Sequence, residues 1–158
     1  MSELDDPHAQ AIDTAIASLS GLPGALLPIL HAVQAKLGYI PPAGVGRIAD
    51  ALNLSRAEVH GVISFYHYFR HKAPGKHVLQ VCRAEACQAM QGEKTEAHAK
   101  QRLSADYGST SPDGQFTLEA AHCLGNCAAA PTVMVDEKLY GRVTPERLDE
   151  VLAEWRHR

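Results

Sequence analysis

Over the first 69 residues, apolar positions recur at intervals of three and four, the period of helices with one buried face. Ile12, Ile16 and Leu19 form one stripe, with Asp6 placed to cap, Pro7 at the first helical position and Gly21 to stop it. Leu26, Leu30, Val33 and Leu37 form a second stripe that meets Gly38. Pro28 fits that helix only within its first turn, where a missing amide breaks no hydrogen bond. After Pro41 and Pro42, Val45, Ile48, Ala49 and Leu52 mark a third helix. Ser55 opens a fourth: Ser55 and Glu58 have capping-box spacing, and Leu54 and Val59 have hydrophobic-staple spacing.

The period changes at "HKAPGKH" (71–77), which reads as a linker or turn. "HVLQV" (77–81) has the look of a buried strand, and residues 86–104, rich in Ala, Glu, Lys and Gln, read as one helix. "GSTSPDG" (108–114) is a loop, and "QFTLEAA" (115–121) alternates like a strand. "TVMVD" (132–136) and "KLYGRV" (138–143) form a hairpin around Asp136 and Glu137. The last helix has Thr144 as cap, Pro145 at its first position, and Leu148, Val151, Leu152 and Trp155 on one face. The order is β-α-β followed by β-β-α, that of a thioredoxin-like domain. The expected fold class is therefore α/β. An N-terminal helical bundle, residues 1–72, precedes a thioredoxin-like β-α-β-β-β-α domain, residues 73–158.

Composition narrows the function classes. With 46% hydrophobic residues the 158-residue chain can build a core, and a net charge of −3 disfavours a general nucleic-acid binder. The acidic start "MSELDDPHAQ" lacks a signal-peptide apolar region, and no apolar run approaches bilayer length. A cytoplasmic protein is expected. There, cysteines serve as ligands or redox groups more often than as structural disulfides.

The chain has four cysteines, in two pairs: Cys82 and Cys87 (C-x4-C), then, after 35 residues, Cys123 and Cys127 (C-x3-C). Each pair follows an expected strand. Gly125 and Asn126, inside the second pair, tolerate positive φ, so that loop can wrap around an object. Four readings compete. A [2Fe–2S] cluster takes two thiolates per iron, which two separated pairs supply. Structural zinc also takes four cysteines, but usually on C-x2-C knuckles. A redox dithiol calls for C-x-x-C, which the chain lacks, and disulfides within the pairs are disfavoured by compartment. Alanines 84, 86, 89 and 128–130 would let backbone amides approach sulfur, or would simply pack closely. Arg83 could offset cluster charge, or be a solvated surface residue.

The cysteine spacing and "HCLGNCAAAPTVMVDEKLYGRVTPERLDEVL" resemble the thioredoxin-like [2Fe–2S] ferredoxin family. "ALLPILHAVQAKLGYIPPAGVGRIADALNLSRAEVHGVISFYHYF" resembles the N-terminal helices of the complex I subunit that partners the flavin subunit. Within the family, "CRAEACQAM" is most similar to the gamma subunit of soluble, molybdenum-containing, NAD-dependent formate dehydrogenases, with NAD-reducing hydrogenase subunits as near neighbours. The resemblance implies one [2Fe–2S] cluster held by Cys82, Cys87, Cys123 and Cys127, the first two on one iron and the last two on the other. It implies an electron-transfer subunit that is not itself catalytic. FMN and NAD would sit on a diaphorase partner, and formate oxidation on a molybdenum-containing partner. The chain itself shows no Gly-rich dinucleotide fingerprint.

Four further features carry weight. "SFYHYF" (64–69) sets four aromatic rings in five positions, either as core or as a docking surface. "RIADALNLSRAEVHGVIS" (47–64) has the look of a helix-turn-helix, so a zinc-stabilised DNA-binding protein is the rival from another class. Its second helix, with Arg56, Glu58, His60 and Ser64, is poor in cations. The nine histidines show no metal-ligand spacing, although His122 adjoins Cys123. Pro131 precedes a strand, where thioredoxin-like folds commonly hold a cis proline.

Overall fold

Helical periodicity resolves into four helices before residue 66: α1 (Pro7–Leu19), α2 (Leu26–Leu37), α3 (Pro42–Leu52) and α4 (Arg56–Phe65). The computed structural model describes residues 7–157, so the Asp6 cap lies outside the described residues. The chain divides into two compact units, 1–73 and 74–158.

In the first unit, Ile12, Ile29, Leu30, Val33, Ile48, Val59, Ile63 and Phe69 form the core. Each such side chain, fully buried, contributes roughly 1.5–3 kcal/mol. Pro28 occupies the third position of α2, inside its first turn. Left-handed residues end the next two helices, Gly38 after α2 and Asn53 after α3. Both bonds of the capping box form: the Glu58 amide donates to Ser55 Oγ, and Glu58 Oε2 accepts from the Ser55 amide at 2.8 Å. Leu54 and Val59 belong to the same apolar cluster. The buried Gln34 fastens the chain after α4: its Nε2 donates to the Tyr68 carbonyl and its Oε1 accepts from the Arg70 amide, both at 2.7 Å.

The second unit is a five-stranded mixed sheet in the order β2-β3-β1-β4-β5. The strands are β1 (His77–Cys82), β2 (Ser109–Thr110), β3 (Phe116–Ala121), β4 (Val133–Val135) and β5 (Lys138–Tyr140). Helices α5 (Glu85–Ala89), α6 (Gly92–Leu103) and α7 (Pro145–Arg156) complete it. Leu79, Val81, Phe116, Leu118, Val133 and Val135 share one core with Ala99 and Leu103 of α6 and with Leu148, Val151, Leu152 and Trp155 of α7. Thr144 caps α7 through its hydroxyl, with Pro145 at the first position.

Three details differ from the sequence reading. The helix expected over 86–104 is two helices, because Gln91 takes a left-handed φ of 65° and Gly92 lies so close to Cys87 that a Cβ there would stand 2.6 Å from the Cys87 carbonyl oxygen. The loop expected over 108–114 contributes the short edge strand β2, paired antiparallel with β3. The strand expected over 138–143 stops at Tyr140, since Gly141 presses against Ala129 and Arg142 is left-handed. The Ala130–Pro131 bond is cis.

Candidate metal centre

Strand register builds the site. β1 and β3 pair in parallel, with Cys82 level with Ala121. Two parallel strands that end together release their loops at the same edge. The loop after β1 enters α5, which carries Cys87. The loop after β3 carries Cys123 and enters the single helical turn Cys127–Ala129. β4 runs antiparallel to β1 and so begins at that edge, where the Cys82 amide donates to the Thr132 carbonyl at 3.1 Å.

The structure brings all four cysteines to this edge, and all are free thiols. Cys82 and Cys87 are buried, 4% and 2% exposed, in a small apolar cluster with Ala130, flanked by Ala84, Ala86 and Leu124. Cys123 and Cys127 are exposed, with their sulfurs 4.0 Å apart. Gly125, at φ 74°, turns its amide to donate to Cys123 Sγ at 3.4 Å.

The thiols perturb one another. Burial pushes the Cys87 thiol up and hydrogen bonding with Cys82 adds to that, while hydrogen bonds with the Thr132 backbone and hydroxyl act downward. Cys123 pushes Cys127 up, with a smaller contribution from the charge of Cys82. Neighbouring thiolates repel, so this donor set favours positive charge in its midst. Among the described residues no three His, Cys, Asp or Glu side chains gather as a ligand set for one ion. The thiols stand as two pairs, one buried and one exposed.

Other predicted participants lie elsewhere. Arg83 pairs with Glu96 of α6 at 3.0 Å, and its guanidinium covers the Tyr107 ring at 5.4 Å. Its charge is thus already partnered. His122 is exposed beside Cys123. Of the "SFYHYF" rings, Phe69 is core, whereas Phe65 is 73% exposed and Tyr66 and Tyr68 are also exposed.

Sequence reasoning missed Thr132, Gly92 and Gly141. Thr132 is 1% exposed, and its hydroxyl reaches the Asn126 and Ala129 carbonyls, each at 3.4 Å, so it joins β4 to the second cysteine loop. A Cβ on Gly141 would stand 2.7 Å from Ala129 Cβ and 2.9 Å from its carbonyl oxygen. The Arg142 amide donates to that same carbonyl at 2.7 Å. A glycine inside a strand pattern is the sequence sign of such an approach.

The model of a thioredoxin-like [2Fe–2S] ferredoxin family matches residues 12–156. The HndA subunit of the NADP-reducing hydrogenase of Solidesulfovibrio fructosivorans is 38% identical over 96% of this chain and 89% of its own length. A subunit of the NADH-quinone oxidoreductase of Escherichia coli K12 is 30% identical over 98% of this chain and 93% of its own. An NAD+-reducing [NiFe]-hydrogenase in its air-oxidized state shares the fold at a TM-score of 0.70 and 18% identity, over 84% of this chain and 23% of the hydrogenase chain.

Proposed function

The chain belongs to the thioredoxin-like [2Fe–2S] ferredoxin family, and we propose that its cluster is held by Cys82, Cys87, Cys123 and Cys127, two thiolates to each iron. The observation that carries this reading is the convergence of two thiol pairs at one sheet edge through the parallel register of β1 and β3. When bound, such a cluster supplies a one-electron redox couple. The chain's own residues bind and shelter it. Cys82 and Cys87 anchor the buried side among alanines, Gly125 offers its amide to sulfur, and Thr132 ties the two loops together. The exposed Cys123 and Cys127 form the side open to an electron partner.

The chain is then an electron-transfer subunit of an NAD-linked oxidoreductase, beside a partner that binds FMN and NAD. The holoenzyme we propose is a soluble, molybdenum-containing formate dehydrogenase, in which a separate subunit oxidises formate. The local similarity of "CRAEACQAM" supports it. The 38% identity to a hydrogenase subunit supports a second reading, in which the same module serves hydrogen oxidation.

Iron and acid-labile sulfide analysis with optical and EPR spectra of the purified chain tests the cluster; a colourless, zinc-loaded protein would overturn it. Purification of the assembly that contains this chain tests the holoenzyme. Molybdenum with formate-dependent NAD reduction supports the first reading, and hydrogen-dependent reduction without molybdenum supports the second.

A further inference from the structure

The first unit holds a groove of about 520 Å³ between α3 and α4, lined by Ile40, Val45 and Ile63 among apolar residues and by Arg56, His60 and His71 as its polar groups. No lining residue is acidic. Gly46, having no side chain, lets the Arg56 guanidinium lie against α3: a Cβ there would meet Nε and Nη2 at 3.3 Å. Arg56 makes no ion pair among the described residues. The acid nearest in sequence, Glu58, is committed to the Ser55 capping box, and Asp13 is committed to Arg47 at 2.7 Å. His60 and His71 stand with ring centroids 6.0 Å apart, and His60 Nδ1 lies 3.3 Å from the Ser64 hydroxyl.

An apolar recess that ends on an unpaired guanidinium is complementary to an apolar body carrying one carboxylate. A guanidinium takes a carboxylate through two parallel N–H···O bonds, and Arg56, exposed in the unbound chain, is accessible to make them. The volume lies within the usual range of binding pockets. We propose that this groove docks a segment of a partner protein that presents an apolar side chain next to an Asp or Glu, with Arg56 receiving the carboxylate. The inference rests on the reading of the chain as one subunit of a larger assembly.

The test uses the full chain with its cluster and two peptide probes, acetyl-Leu-Glu-Leu-Phe-amide and its Gln counterpart, followed by NMR titration of backbone amides. Saturable shifts centred on Val45, Arg56 and His60 are expected for the Glu peptide, with affinity lower by about tenfold for the Gln peptide, the loss of one charge-assisted pair. Arg56→Gln should remove that preference and Arg56→Lys should restore part of it. Equal affinity for the two peptides, no saturable shift, or shifts centred on Phe65 and Tyr66 would overturn the proposal. Such a result in a sample whose iron and sulfide content is intact leaves the cluster reading standing. Peptide binding by a chain that assembles no cluster would separate the two the other way.

Discussion

The amide of Cys82 donates to the carbonyl of Thr132 at 3.1 Å, so the end of β1 and the start of β4 are joined where the thiols gather. Thr132 also reaches the second cysteine loop through its hydroxyl and acts on the Cys87 thiol. One buried residue thereby reaches both cysteine-bearing segments.

Thr132→Val should shift the midpoint potential of the cluster, because the hydroxyl that holds the second cysteine loop through the Asn126 and Ala129 carbonyls is lost. Thr132→Ser should keep it near wild type. The loss of the buried hydroxyl should also cost about 1 kcal/mol of stability. Redox titration followed optically checks the first point. An unchanged midpoint with lowered stability would reduce Thr132 to a structural role.

Each cysteine replaced singly by Ser should deplete iron and sulfide in the purified chain, since one iron then lacks a thiolate. In the metal-free chain, iodoacetamide should modify the exposed Cys123 and Cys127 well before the buried Cys82 and Cys87. Mass spectrometry of timed digests reads the order. Uniform labelling of all four would contradict the buried and exposed halves.

Gly141→Ala should destabilise the second unit by about 1–3 kcal/mol, because its Cβ would collide with backbone and Cβ of Ala129. Cluster content should fall with it, as the second cysteine loop is displaced. Gly61→Ala is the control. Nothing lies within 4 Å of a Cβ there and the site is an exposed position of α4, so it should stabilise by roughly 0.5–1 kcal/mol. Chemical denaturation of both variants checks the pair.

Glu58 titrates below its ordinary value of 4.5, held down first by the Ser55 amide and then by the Ser55 hydroxyl. A carboxyl lowered in the folded state stabilises the fold above its unfolded value, and that contribution fades as pH falls through the folded value. Glu58→Gln should therefore lower the unfolding midpoint at neutral pH, and the deficit should shrink as pH falls below that ordinary value of 4.5. Thermal unfolding of both proteins across that range measures it. A deficit independent of pH would sink the assignment.

Much of the fold was legible because local sequence reports burial directly. The stripe Leu148, Val151, Leu152 and Trp155 could only be one face of a helix, and all four are buried. Ser55 and Glu58 could be read as a capping box because both partners lie within one turn. The break at Gln91 was not legible: an Ala- and Glu-rich run favours a continuous helix, and only the approach of Gly92 to the Cys87 carbonyl interrupts it.

The proposed donors are local information: two cysteine pairs, each after a strand, with a glycine in the second loop. Their convergence is not, because no local pattern encodes it. The parallel register that levels Cys82 with Ala121 sends both loops to one edge. Antiparallel pairing of β4 delivers Thr132 there, and packing buries Cys82 and Cys87 while leaving Cys123 and Cys127 open. Register and burial of this kind arise from contacts between residues some forty to fifty positions apart, set by how sheet and helices share one core.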